Sequence, residues 1–232
     1  MVIRQRAIQA QDKRERHHAI LDAAARLLAR SPERIANVAE VADEAGLAKG
    51  TVYLYFPSKE ELLLALHERN IDGFFRALID RLGSDTPVTV GDVLALTRRH
   101  MVEPPLFLPL AARCFGMMGQ GVPPEVGLAF KGRMAERLQK AGAGLERHFA
   151  VLKAGDGLAL LRHSYALIIG LWQMSGASSA HASACSMKGS AAMPAEFTFS
   201  YSEELDRALL ALWEGATGRS LPAADPPQDG PQ

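Results

Sequence analysis

A chain of 232 residues can bury one large core, or a small one beside a medium one, and its 48 % hydrophobic and 22 % charged residues are ordinary for a globular protein. Aromatic residues are sparse, Ala and Leu are frequent and β-branched runs are scarce, so the composition points to an all-α fold and away from a sheet-built one. The formal net charge is +0 but unevenly spread: residues 1–59 carry ten Lys/Arg against seven Asp/Glu and the remainder sixteen against nineteen, so only the front of the chain suits a polyanionic partner.

Residues 1–12 read as a flexible basic arm. From Lys13 to Arg30 the apolar positions Ile20, Ala23, Ala24, Leu27 and Leu28 repeat at helical spacing, and Ser31-Pro32 stops that helix. Val38, Val41, Ala42 and Ala45 mark one face of a second, short helix. Gly46 follows where a helix C-terminus favours a left-handed residue, and Leu47 plugs the corner. A third helix of about two turns, Lys49 to Phe56, is stopped by Pro57. Ser58-Lys59-Glu60-Glu61 fits a capping box, with Ser58 and Glu61 each accepting from the other's backbone N–H, and opens a long helix to Leu82. Further helices are predicted over Thr89–Val102, Leu106–Met118, Pro124–Leu152, Asp156–Gln173 (capped by Asp156) and Ser200–Gly215 (a capping box of Ser200 and Glu203). The low-complexity stretch 175–194 reads as a long mobile loop and the Pro-rich tail 219–232 as disordered.

The stretch EAGLAKGTVYLYFPSKEEL carries the functional signal. Two short helices joined by Gly46-Leu47-Ala48, with apolar inner faces, describe a helix-turn-helix, whose second helix enters the major groove of DNA. Gly50 keeps the helix start slim, Thr51 offers a hydroxyl and a methyl, and the phenols of Tyr53 and Tyr55 suit phosphate oxygens. Lys59 stands in the first turn of a helix, where the macrodipole disfavours a cation; a bound phosphate would reverse that cost.

Asn37-Val38-Ala39-Glu40-Val41-Ala42-Asp43-Glu44-Ala45-Gly46-Leu47-Ala48-Lys49-Gly50-Thr51-Val52-Tyr53-Leu54-Tyr55-Phe56, with Lys59 opening the next helix, resembles the DNA-binding domain of the tetracycline-repressor (TetR) family over about residues 13–75. The resemblance implies a three-helix DNA-binding domain (13–57), a connecting helix (58–82) and a helical ligand-binding and dimerisation domain (83–218). It places Asn37, Lys49, Gly50, Thr51, Tyr53, Leu54, Tyr55 and Lys59 at the DNA. Three positions depart from the family pattern. Asn37 replaces a usual Thr but retains capping ability, Ala39 forgoes a backbone contact, and Ala48 replaces a capping Ser.

The resemblance also implies a homodimer on double-stranded DNA, its recognition helices ~34 Å apart. The dimer would be built on the apolar faces of the last two helices, Leu161, Tyr165, Ile168, Ile169 and Trp172 with Leu205, Leu209, Leu212 and Trp213. For a partly apolar small-molecule ligand the candidates are His100, Phe107, Arg113, Met117, His163 and Trp172, with Phe115 and Met118 beside them.

Other classes find little support. There is no Gly-rich phosphate loop, His-Glu-x-x-His or Gly-x-Ser-x-Gly, so no enzyme is indicated, and Cys114 and Cys185 stand apart from any metal-ligand spacing, so neither a metal nor a cofactor is implied. No apolar run approaches the ~18 residues of a membrane span, and the polar N-terminus lacks a secretory h-region, so the expected location is the cytoplasm. The alternative within the regulator class is a signal from a protein partner, for which the 175–194 loop offers a place, or from oxidation of Cys114 or Cys185.

Overall fold

The computed structural model describes residues 2–31, 34, 36–117, 121–175 and 199–218; the 175–194 loop beyond Ser175, Met118, Cys185 and the tail lie outside them. Within the described residues all regular structure is helical: α1 (Val2–Arg30), α2 (Val38–Ala45), α3 (Lys49–Tyr55), α4 (Lys59–Leu82), α5 (Val90–Thr97) running into a π-helical turn (Arg98–Val102), α6 (Phe107–Met117), α7 (Pro124–His148), α8 (Asp156–Met174) and α9 (Tyr201–Thr217). The arm expected over 1–12 is instead the start of α1, because nothing between Val2 and Lys13 is Gly or Pro and most of it is good helix former.

Local chemistry explains the ends of the small helices. Asn37 caps α2 with a complete capping box: its side-chain oxygen accepts from the N–H groups of Ala39 and Glu40 at 2.9 and 3.0 Å, and the Glu40 carboxylate accepts from Asn37 N–H at 2.8 Å. Gly46 ends α2 at φ 67°, the left-handed conformation that side chains resist. Ala48 gives α3 no side-chain cap. Ser58 accepts from Glu61 N–H at 3.1 Å, but the Glu61 carboxylate takes the Ser58 hydroxyl at 3.2 Å instead of its backbone N–H, so that box is half formed. Two other expected caps differ. Gly155, left-handed at φ 94°, precedes α8, and Asp156 is its first residue, its carboxylate accepting from Lys153 N–H at 2.8 Å. Ser200 makes no side-chain cap bond on α9.

Two cores form. The first gathers Ile20, Leu21 and Leu28 of α1, Val38 and Val41 of α2, Val52 of α3 and Leu62–Leu66 of α4, joined by Leu110 and Cys114 of α6 and Phe130 of α7. The second holds Ile71, Phe74, Phe75 and Leu78 of α4 together with α5 and α7–α9. The apolar stripe assigned to the dimer surface is mostly this core: Leu161, Ile168, Ile169 and Trp172 of α8 and Leu205, Leu209 and Trp213 of α9 are all buried within one protomer. A stripe at three- and four-residue steps marks a buried face without saying what buries it. Tyr201 and Trp213 fasten α9 to α8, their O–H and N–H donating to the Ile168 carbonyl at 3.1 Å and the Ser164 hydroxyl at 2.9 Å.

Helices α7 and α8 cross at two glycines. A Cβ at Gly157 would stand 2.3 Å from the Gly142 carbonyl oxygen, and one at Gly142 only 2.6 Å from Leu158 N, so backbone meets backbone. Gly157→Ala is expected to lower stability by about 1–3 kcal/mol, the cost of overpacking. Gly132→Ala, on an exposed turn of α7 with open space around it, should instead stabilise by roughly 0.5–1 kcal/mol. Thermal denaturation of the two variants checks the pair of opposite signs.

Candidate functional site

The recognition surface is set by how α3 is pinned. Val52, fully buried, and Phe56, just past the helix end, hold it to the first core, so at 3.6 residues per turn Lys49, Gly50, Tyr53 and Leu54 face outward. Leu54 is 84 % exposed and Tyr53 43 %, so both side chains are free to meet a partner surface. Thr51 and Tyr55 are half-buried at the flanks, and Asn37 is exposed with its amide nitrogen still available beyond the cap. The imidazole of His17 on α1 stacks near Phe56 and Tyr55, ring centroids 5.0 and 6.5 Å away, which ties α1 to the end of α3.

Charge pairing sharpens this surface. Arg26 and Arg30 both bind Glu44, Arg34 binds Glu40 and Arg69 binds Asp22, so these cations are neutralised within the module. Lys49 has no acid partner among the described residues; its ammonium lies 5.8 Å from the centre of the Tyr53 ring. Lys59, the first residue of α4, has only a loose 3.7 Å contact with Glu60 and is half exposed. Lys49 at the start of α3 and Lys59 at the start of α4 therefore keep positive charge available on either side of the exposed face of α3.

The second feature is a partly open cavity of about 310 Å³ at the junction of the two cores. Cys114 and Phe130 from the first core and Phe74, Phe75, Leu161 and Ile168 from the second line it, along with Met101, Met134 and Leu138. Its polar wall groups are largely paired within the fold. Ser164 and Thr97 donate to the carbonyls of Leu160 and Val93, each at 2.8 Å, and Tyr165 shares a 3.1 Å hydrogen bond with His67 Nε2. His67 is buried, its Nδ1 has no hydrogen-bond partner among the described residues, and burial pushes its pKa down to about 4, so the ring is neutral at physiological pH. Burial pushes the Cys114 thiol up to about 12; with 1 % exposure it is a packing group and not a nucleophile.

None of the six ligand candidates lines this cavity. Phe107 and Trp172 are core residues elsewhere, Met117 packs on the first core and His163 is exposed. His100 lies against Gly73, 3.6 Å from where a Cβ would stand, and Arg113 is half-buried on the next face of α6. Three of them are one residue from a true wall position, Met101, Cys114 or Arg162. One residue is about 100° of helix, enough to turn a side chain to another neighbour. Sequence reasoning missed His67, although it falls within the apolar spacing of α4, because a histidine among leucines reads as an interruption. It placed Tyr165 on the dimer face.

Beside the cavity, α4 and α7 are joined by ion pairs. Arg133 holds Glu68 with two 2.7 Å bonds, and Arg137 bridges Glu68 and Asp72 at 3.0 and 3.1 Å. Burial works against the Glu68 charge, but the two guanidiniums outweigh it and hold its carboxyl below the usual range. Among the described residues no group of three or more His, Cys, Asp or Glu is placed to hold a metal ion, and no helix is long and apolar enough to cross a membrane.

Comparison with known proteins follows the same division. Residues 20–66 match the family model for bacterial regulatory proteins of the tetR family, and residues 68–220 match that for the tetracyclin repressor-like C-terminal domain. The chain is 36 % identical over 73 residues to the fatty acid metabolism regulator protein of Bacillus subtilis (strain 168), an alignment covering 32 % of this chain and 36 % of that protein. It is 34 % identical over 77 residues to the uncharacterized HTH-type transcriptional regulator YuxN of the same organism, covering 33 % and 26 %. The chain thus spans about a third of the length of the first of these relatives and about a quarter of the second. A solved structure described as a TetR-family transcriptional regulator from Mesorhizobium loti MAFF303099 superposes with a TM-score of 0.56 over 88 % of this chain and 96 % of that one at 17 % identity, a likeness of fold.

The buried His67 gives a pH test. Its folded pKa of about 4 lies below the ordinary unfolded value, so between roughly pH 6.5 and 4 the unfolded chain binds a proton that the folded chain refuses. Its contribution to stability is present above that window and lost as pH falls through it. Chemical denaturation at a series of pH values should show a shallower decline in the His67→Gln protein than in the wild type across this range.

Proposed function

The chain belongs to the tetracycline-repressor family of transcriptional regulators, and from that premise we propose that it binds a pseudopalindromic operator as a homodimer, represses, and is released when a small molecule occupies its cavity. The family's members are DNA-binding regulators and generally not enzymes. Asn37, Lys49, Gly50, Thr51, Tyr53, Leu54, Tyr55 and Lys59 form the DNA surface in this reading. Lys49, Lys59 and the tyrosines hold phosphates, while Thr51 and Leu54 read base edges through a hydroxyl and methyl contacts.

The observation that carries the release step is the position of the cavity. It is walled by α4 where that helix passes from the first core to the second, and by Cys114 and Phe130, whose helices pack on the DNA-binding module. A ligand that fits better when α4 is tilted shifts the population toward dimers whose recognition helices no longer match the groove spacing. The dimer face in this reading is the outer side of α8 and α9, where Met174 and Leu210 are exposed beside the small residues Ala166 and Ala211. Signalling through Cys114 oxidation is disfavoured, since its buried, protonated thiol offers no thiolate.

Lys49→Ala and Lys59→Ala are each expected to weaken binding to every DNA sequence and to reduce the slope of log affinity against log salt by about one. Leu54→Ala should leave the slope intact and change which sequences are preferred. Fluorescence anisotropy on a selected operator and on random DNA across a salt series separates these outcomes. A Lys59→Ala protein with unchanged affinity and slope would remove that residue from the interface.

A further inference from the structure

We propose that the cavity takes an anionic amphiphile, a small molecule with a single apolar body inside and a negatively charged head held at the rim by Lys131 and Arg162. This rests on reading the cavity as the effector site.

The walls decide the body. The interior is formed by Phe, Met, Leu and Ile side chains, and of the polar groups among them only His67 Nδ1 lacks a partner among the described residues: Thr97 and Ser164 are engaged with backbone carbonyls, Ser164 also with the Trp213 indole, and Tyr165 with His67 Nε2. A polar ligand buried there would exchange its water for few free partners and lose by it. An apolar one gains from every wall atom. A volume of about 310 Å³ stands at the small end for ligand pockets, which suits one chain or a compact ring system.

The rim decides the head. The cavity lining includes two side chains that are charged at neutral pH, Lys131 on α7 and Arg162 on α8, and no Asp or Glu; His67 is neutral. Both cations are exposed and neither forms an ion pair among the described residues. In this they differ from Arg133 and Arg137, farther along α7, which are both committed to acids on α4. Two uncommitted cations at the mouth of an apolar cavity select a negative head by attraction and reject a positive one. Guanidinium and ammonium together suit a carboxylate or a phosphate ester, the oxygens of either accepting from the Arg162 fork.

The test uses the full-length protein and three probes of one chain length, decanoate, decanol and decylamine, read by quenching of tryptophan fluorescence, since the Trp213 indole lines the cavity. Decanoate should bind at least roughly tenfold more tightly than either other probe, the sum of two modest ion pairs. In the Lys131→Gln/Arg162→Gln protein that preference should fall to near parity while decanol binding stays unchanged. Equal binding of the three by the wild type, no binding of any, or a preference that survives the double substitution would overturn the proposal. Operator anisotropy with decanoate keeps the two readings apart: charge-selective binding that leaves DNA affinity untouched upholds the ligand class and sinks ligand release, while release by decylamine or decanol but not decanoate does the reverse.

Discussion

The structure depends on α4 being one unbroken helix with a foot in each core. Leu62, Leu63, Leu64 and Leu66 are buried against α1–α3, and Ile71, Phe74, Phe75, Leu78 and Leu82 against α5 and α7–α9. Each buried leucine or phenylalanine is worth roughly 1.5–3 kcal/mol, so neither half of α4 can leave its core cheaply. In the proposed release, α4 carries a change at one foot to the other. The changeover falls at His67, between the last leucine of the first core and the first isoleucine of the second, and there the packing gives way to a cavity.

In the proposed release, that placement makes the cavity the lever. Its wall includes Cys114 and Phe130, which belong with the DNA-binding module, so an occupant touches both halves. The surrounding joints are of two kinds. The Gly142–Gly157 crossing is backbone on backbone and resists sliding, whereas the Glu68–Arg133–Arg137–Asp72 network is half-exposed and can re-pair as α4 and α7 shift. In the proposed release, a stiff pivot on the α8 side of α7 and an adjustable contact on the α4 side would favour a tilt of α4 over a general loosening.

The DNA-binding end was legible from sequence because short-range rules govern it. Asn37, Gly46, Pro57 and Ser58 act on neighbours one to four residues away, and a glycine at φ 67° needs no tertiary knowledge to foresee. The cavity end was not, because there a residue's place depends on which neighbour its helix face meets. The apolar stripes of α8 and α9 are real, yet periodicity cannot distinguish a core from an interface, and the core claimed them. Arg113, His100 and His163 each stand one residue from a wall position. The π-helical turn at Arg98–Val102 accommodates an extra residue per turn and re-phases the face just where His100 and Met101 lie. Lys131 and Arg162 look like ordinary surface cations until a cavity is found beneath them.

The central claim is that filling the cavity moves the recognition helices. The most direct measurement needs no effector: the operator affinity of a Leu138→Trp dimer, which puts an indole into the space from its α7 wall, with circular dichroism and sedimentation to verify that the dimer is folded. The account predicts a folded dimer that binds its selected operator at least roughly tenfold more weakly, about 1.4 kcal/mol, while non-specific binding to random DNA is unchanged. A folded dimer with wild-type operator affinity would contradict it, and the cavity would then be a packing defect with no hold on the DNA.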